Sequence, residues 1–216
     1  MNIQLALDRF SVEEAIRIAK NAEDFVDWIE VGTSLIKEYG VESVRKIKNA
    51  FPNKVIVADC KTIDNAYYEF DMCFQAGADI ATVMGVSPAA TIKACIETAN
   101  TFNKKVMIDL LNTTEEQKKE LFQYKEAIFC DHVSKDEQEM TGKKNILTKQ
   151  ADDPLLQFAV AGGISLDTIE HFKDRMPSVV IIGSAITKAV DQRIAAEQFK
   201  KIILQWNEEN QYENNR

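Results

Sequence analysis

Short runs of apolar and β-branched residues punctuate the chain at regular intervals. They begin with Ile3-Gln-Leu-Ala-Leu-Asp8, Val26-Asp-Trp-Ile-Glu-Val31, Lys54-Val-Ile-Val-Ala-Asp59 and Asp79-Ile-Ala-Thr-Val-Met84. Four more follow at Lys105-Val-Met-Ile-Asp-Leu110, Ala127-Ile-Phe-Cys-Asp-His132, Gln157-Phe-Ala-Val-Ala161 and Ser178-Val-Val-Ile-Ile-Gly183. Such runs read as strands. Between them the apolar positions take a helical period: Val12, Ala15, Ile16 and Ala19 share one face of 11–22, and Val44 and Ile47 one face of 41–50. Ser11 with Glu14 three residues on forms a capping box, and Pro88 suits the first turn of a helix. The stretch 135–153 is weakly patterned and predicts a short or irregular sixth helix.

Eight evenly spaced strand-helix units predict a closed parallel (β/α)8 barrel, the TIM-barrel architecture, rather than a doubly wound sheet. A chain of 216 residues with 45% hydrophobic content can bury one such core as a single domain, placed at 1–206. The polar segment 207–216 has no hydrophobic period and predicts a tail that frays beyond the last helix.

Charge narrows the partners. Twenty-six Lys and Arg against 34 Asp and Glu give a net charge of -8, which repels polyphosphate backbones and argues against nucleic acid. A small phosphorylated substrate stays open, because backbone amides can hold a phosphate whatever the net charge. The first residues lack a basic region and carry Asp8, and no apolar run approaches a membrane span, so no membrane partner and a cytoplasmic location are expected. Cys60, Cys73, Cys95 and Cys130 show no C-x-x-C spacing and predict buried, reduced thiols.

In a barrel the site is built where the strands end, so charged residues there are candidates. Asp8, Glu30, Asp59, Asp109 and His132 all qualify. In Val57-Ala-Asp59-Cys-Lys61-Thr-Ile-Asp64, Asp59 and Lys61 are two apart, so both face one side of an extended segment and Cys60 faces the other. An ammonium beside carboxylates stays charged and can donate a proton or stabilise an oxyanion, which suits enolate chemistry; a salt bridge at a strand end is the plainer alternative. Glu30 and Asp59, on adjoining strands, offer two hard oxygen ligands to Mg²⁺, the alternative being a Glu30–Lys61 ion pair without metal. Ala161-Gly162-Gly163-Ile164 and Ile182-Gly183-Ser184-Ala185 place glycines after strands seven and eight, where backbone amides can approach a phosphate. His132 suits proton transfer, with a core histidine as the alternative, whereas His171, beside Phe172 in a helix, reads as structural or exposed.

Taken together, Leu5-Ala-Leu-Asp8, Ile29-Glu30-Val-Gly-Thr33, Ala58-Asp59-Cys-Lys61-Thr-Ile-Asp64, Ala76-Gly-Ala-Asp79, Thr82-Val-Met-Gly85, His132 with Asp136, Ala161-Gly-Gly163-Ile164 and Gly183-Ser-Ala-Ile186 span nearly the whole chain. The set resembles the orotidine 5′-phosphate decarboxylase suprafamily, in its branch of 3-hexulose-6-phosphate synthases and 3-keto-L-gulonate-6-phosphate decarboxylases. The resemblance implies a homodimer with composite active sites, in which Asp64 acts in the neighbouring subunit. It also implies Mg²⁺ on Glu30 and Asp59, a 1,2-enediolate stabilised by Lys61, and proton shuttling by His132.

The synthases form that intermediate by deprotonating ribulose 5-phosphate and add it to formaldehyde; the decarboxylases form it by losing CO₂ and protonate it to L-xylulose 5-phosphate. Asp109, where the decarboxylases usually carry a glutamate, and the lack of an arginine directly after Gly183 favour the synthase. His132-Val-Ser134-Lys135-Asp136 leans towards the decarboxylases, although Lys135 lacks the planar fork of their arginine. Asn65-Ala66, the bulky Tyr67-Tyr68, and a shortened stretch between Asp136 and Ala161 depart from the family pattern. They leave room for a different pocket, or for a sugar-phosphate-binding barrel without catalysis.

Overall fold

The computed structural model describes residues 1–144 and 153–214, with side chains described through Glu209. Strands β1 (Asn2–Leu7), β2 (Trp28–Val31), β3 (Val55–Thr62), β4 (Ile80–Met84), β5 (Lys105–Asp109), β6 (Ile128–His132), β7 (Gln157–Ala161) and β8 (Val179–Ile182) close into a barrel in chain order. Every neighbouring pair is parallel, and β1 closes the ring by pairing with both β2 and β8. The expected (β/α)8 architecture is the observed one.

Alternation along the strands sorts residues into two layers. Ile3, Leu5 and Leu7 of β1 face outward and pack with Ala15, Ile18 and Ala19 of α1 (Val12–Ala22). The inward set fills the barrel with Val57, Ile80, Met107, Ile128, Ala159, Val179 and Ile181. Each fully buried aliphatic or aromatic side chain contributes roughly 1.5–3 kcal/mol of transfer free energy, so the two layers together stabilise the barrel on which the strand ends sit.

The helices are α2 (Thr33–Tyr39), α3 (Glu42–Ala50), α4 (Ala66–Gln75), α5 (Ala89–Thr101), α6 (Glu115–Leu121), α7 (Lys135–Thr141), α8 (Ser184–Thr187) and α9 (Gln192–Asn214). The Ser11–Glu14 capping box opens α1 as expected. Pro88 is the residue before α5, at φ -53° and ψ 144°, rather than a member of its first turn. An extended ψ there lets its carbonyl accept the first helical bonds, from Thr91 and Ile92. The expected short helix after β6 is α7, ended by Gly142; residues 145–152 of that weakly patterned stretch lie outside the described residues.

The polar segment from Asn207 does not leave the helix where expected: α9 continues to Asn214. Its anchor is apolar, since Ala196, Phe199, Ile203 and Trp206 are buried against the barrel. Beyond that anchor the Gln205–Glu209 hydrogen bond (2.9 Å) and the Lys173–Glu209 ion pair (2.9 Å) support another turn. Among the described residues, no helix is long and apolar enough to cross a membrane.

Candidate active site

A cavity of about 720 Å³ opens at the C-terminal ends of the strands. Asp8, Glu30, Asp59, Lys61, Asp109 and His132 all line it, so the strand-end residues singled out in the sequence converge.

The centre is β3. Plain alternation does not carry Lys61 to the face of Asp59, because the β3–β4 register shifts between Ala58 and Thr62 and Lys61 adopts a φ of 49°. The shift is a bulge-like irregularity in which residues 59–61 of β3 stand opposite the single residue Thr82 of β4, and it re-aims the side chains between. It is tied down by Thr82, whose hydroxyl oxygen accepts from the Lys61 backbone N–H (2.9 Å) while the hydroxyl donates to Asp59 Oδ1 (2.9 Å). Cys60 then points to the outer layer, its thiol donating to the Thr82 carbonyl at 3.2 Å. The expected facing holds through this bulge.

The Lys61 ammonium lies 3.1 Å from Asp59 Oδ1 and 3.0 Å from Asp109 Oδ2. Among the described residues its ion pairs are to these two aspartates, and Glu30 acts on it through its charge at longer range. Burial opposes the charge on Lys61, but Asp59, Asp109 and Glu30 outweigh it and hold the pKa above the ordinary lysine value. The ammonium therefore stays protonated and acts as a fixed positive charge.

Asp109 is 3% exposed, and its Oδ2 also meets His132 Nδ1 at 2.9 Å while Oδ1 accepts from the Leu111 N–H at 2.9 Å. Burial alone would raise its pKa; the His132 hydrogen bond and charge, with Lys61, bring it down to about 2. A carboxylate that stays ionised takes the proton-bearing nitrogen of the ring. His132 thus donates through Nδ1, which leaves Nε2 as its remaining ring nitrogen.

Glu30 is also buried, and burial followed by the charge of Asp59 pushes its pKa up to about 8. Asp59 accepts in addition from Thr33 Oγ1 at 2.7 Å. Asp8, just past β1, is exposed at the rim, and its Oδ1 accepts from the N–H (3.0 Å) and hydroxyl of Ser34. Gly32 permits this junction, since a Cβ there would lie 2.4 Å from the Leu7 carbonyl oxygen.

On the β7–β8 side Gly162, Gly163, Ile164, Gly183 and Ser184 line the cavity together. Gly162 has a φ of 103°, and a Cβ there would stand 2.5 Å from the Val133 carbonyl oxygen, so only glycine fits this close passage. Asp64 is the one predicted site residue that the fold leaves out of the cavity: it is exposed past β3, its Oδ1 accepting from the Asn65 N–H at 2.7 Å. His171 lies exposed in a short 3-10 turn on the barrel exterior, and all four cysteines are free thiols, with Cys60 only partly buried.

A family model for the orotidine 5′-phosphate decarboxylase / HUMPS family matches residues 1–199. The chain belongs to this family. The 3-hexulose-6-phosphate synthase of Bacillus subtilis (strain 168) is 37% identical over 215 residues, covering 95% of this chain and all of that one (100%). The crystal structure of a 3-hexulose-6-phosphate synthase from Salmonella typhimurium matches with a TM-score of 0.87 at 34% identity, over 95% of this chain and 100% of that chain. A 3-keto-L-gulonate-6-phosphate decarboxylase from Vibrio cholerae matches with a TM-score of 0.77 at 30% identity, over 92% of this chain and 96% of that chain. Both branches of the family thus share this barrel.

Three side chains that build the site had no role assigned from the sequence: Gln4 beneath Glu30, and Thr33 and Thr82 on Asp59, the two threonines being only members of the quoted motifs. Threonines are ordinary strand and helix-start residues and signal nothing by themselves. Gln4 did carry a signal, being a polar residue on the same strand face as Ala6 and Asp8 in an otherwise apolar run.

Proposed function

We propose that the protein is a 3-hexulose-6-phosphate synthase, condensing ribulose 5-phosphate with formaldehyde. The observation that carries this reading is Asp109, an aspartate at the end of β5 that meets both Lys61 and His132 through one oxygen. It keeps an ammonium and an imidazole on the same side of the cavity, the pair that enediolate chemistry needs. The similarity to named synthases supports the same branch.

In this reading His132 Nε2 moves the proton between substrate carbon or oxygen and bulk water. Lys61 supplies a fixed positive charge where the 1,2-enediolate develops, and the nucleophilic carbon then attacks formaldehyde, whose oxygen takes up a proton. The sugar phosphate is held by the backbone of Gly162, Gly163, Ile164, Gly183 and Ser184, while Asp8 closes the rim.

Glu30 and Asp59 are the residues that would hold Mg²⁺. Among the described residues no three His, Cys, Asp or Glu side chains converge as a ready-made site, but two buried carboxylates suit Mg²⁺, which keeps waters and substrate oxygens in its shell. The raised pKa of Glu30 supports the fit, because negative charge is in excess there and a cation relieves it. When bound, Mg²⁺ supplies charge to oxygens that become anionic.

A homodimer completes the reading. Asp64 points away from its own cavity beside the exposed Ile63, Tyr67 and Tyr68, an apolar flank suited to a second copy that would receive it.

Sugar-phosphate decarboxylation is the second reading, favoured by Ser134, Lys135 and Asp136 lining the cavity next to His132. A paired assay separates the two. With Mg²⁺ and ribulose 5-phosphate the protein should consume formaldehyde, whereas 3-keto-L-gulonate 6-phosphate should release little CO₂; the reverse ranking would overturn the synthase reading.

A further inference from the structure

Gln4 occupies an improbable place for an amide. It faces into the barrel from β1, level with Trp28 of β2 and Ile181 of β8, and is 1% exposed. The inward residues of other strands that fill the barrel are apolar, among them Val57, Ile80, Ile128 and Val179. A methionine or leucine would fill the same space without burying polar atoms. The amide leaves its Oε1 with no hydrogen-bond partner, and a buried unsatisfied acceptor is destabilising. Its Nε2 donates to Glu30 Oε2 at 2.6 Å.

That donor is the distinctive part. Asp59 is held by Thr33, Thr82 and Lys61, and Asp109 by Lys61, His132 and the Leu111 N–H. Glu30 has Gln4 as its single hydrogen-bond donor among the described residues. Without Gln4 the longest and most weakly tethered of the three carboxylates would be free to rotate between rotamers in the cavity floor.

We infer that Gln4 is a positioning residue: by binding Oε2 it fixes the Glu30 carboxylate and leaves Oε1 as the oxygen offered to a divalent cation. This rests on the reading of Glu30 and Asp59 as the cation ligands. Partners behind a metal ligand commonly set metal affinity by about 10- to 100-fold, because they hold the ligand in its binding geometry.

The test is titration of the purified protein with Mn²⁺, a paramagnetic stand-in for Mg²⁺, with free Mn²⁺ read by electron paramagnetic resonance and folding followed by thermal melting. Gln4→Met should bind Mn²⁺ at least about 10-fold more weakly than the wild type while melting at the same temperature or higher, since it removes an unsatisfied amide. Its turnover should recover as Mg²⁺ is raised, which a general loss of structure would not permit. Gln4→Asn, which keeps an amide one methylene too short to reach Glu30, should weaken binding equally and covers the case in which Gln4→Met fails to fold. Wild-type Mn²⁺ affinity in either variant overturns the inference and leaves the metal reading intact. Failure of the wild type itself to bind Mn²⁺, with Glu30→Gln indistinguishable from it, overturns the metal reading and the inference together.

Discussion

Two clusters of aspartate and lysine sit at opposite ends of the same barrel and show different physics. At the N-terminal end Asp79 lies between the ammoniums of Lys48 (2.8 Å) and Lys104 (2.6 Å), and it also accepts from the Ile56 N–H (2.9 Å). Burial would raise its pKa, but two cations and a backbone donor lower it, so the carboxylate's charge is more than compensated on the spot. At the C-terminal end one ammonium, Lys61, serves Asp59 and Asp109, and Glu30 is buried nearby with only a neutral amide. The first arrangement spends its charges on each other. The second is left with negative charge in excess, a condition that lowers stability and that the proposed cation would relieve.

The contrast breaks most sharply at the lysine. Lys61→Ala should retain the fold in a melting experiment yet lose about 10³-fold in kcat/KM for formaldehyde fixation, since the fixed charge at the developing oxyanion is gone. A loss below about tenfold would show that Lys61 is not the charge that stabilises the intermediate, whereas absence of turnover in the wild type itself would favour the sugar-phosphate-binding barrel without catalysis.

Glu30 tests the excess charge itself. Its unfolded pKa is about 4.3 and its folded value about 8, so the folded state keeps a proton that the unfolded state releases, and stability is lost as pH rises between those values. In metal-free buffer the melting temperature of the wild type should therefore fall from pH 5 to pH 8. Glu30→Gln should flatten this slope and gain on the order of 2 kcal/mol at pH 8, about 4–8 °C. A parallel slope in the variant would show that Glu30 is not the titrating group.

Asp79 marks the small end of the scale. Asp79→Ala should lower stability by about 2 kcal/mol through the loss of charge-assisted hydrogen bonds, while kcat and divalent-cation affinity stay within about twofold. A large fall in kcat would mean that the two ends of the barrel are coupled.

How far these features could be read in advance differs residue by residue. Asp8, Glu30, Asp59, Asp109 and His132 were legible because each follows an apolar run, and the C-terminal ends of barrel strands face the cavity. The glycines at 162, 163 and 183 were legible for the same reason. The continuation of α9 through a polar stretch was not, since it depends on a buried anchor at Phe199, Ile203 and Trp206 and on Glu209 meeting Lys173 from another part of the chain.

By itself the sequence determined the barrel, through eight runs whose period fits strands, and the identity of the charged groups at its mouth. Local pattern suffices for both, because periodicity and strand-end position are properties of neighbouring residues. Only the tertiary structure decided how those charges are shared. The bulge that turns Lys61 inward is held by Thr82 of the next strand, the proton on His132 is set by Asp109 of another, and Glu30 is anchored by Gln4 from below. Each is a contact between strands distant in sequence, where the energy of a buried charge depends on partners that no local window contains.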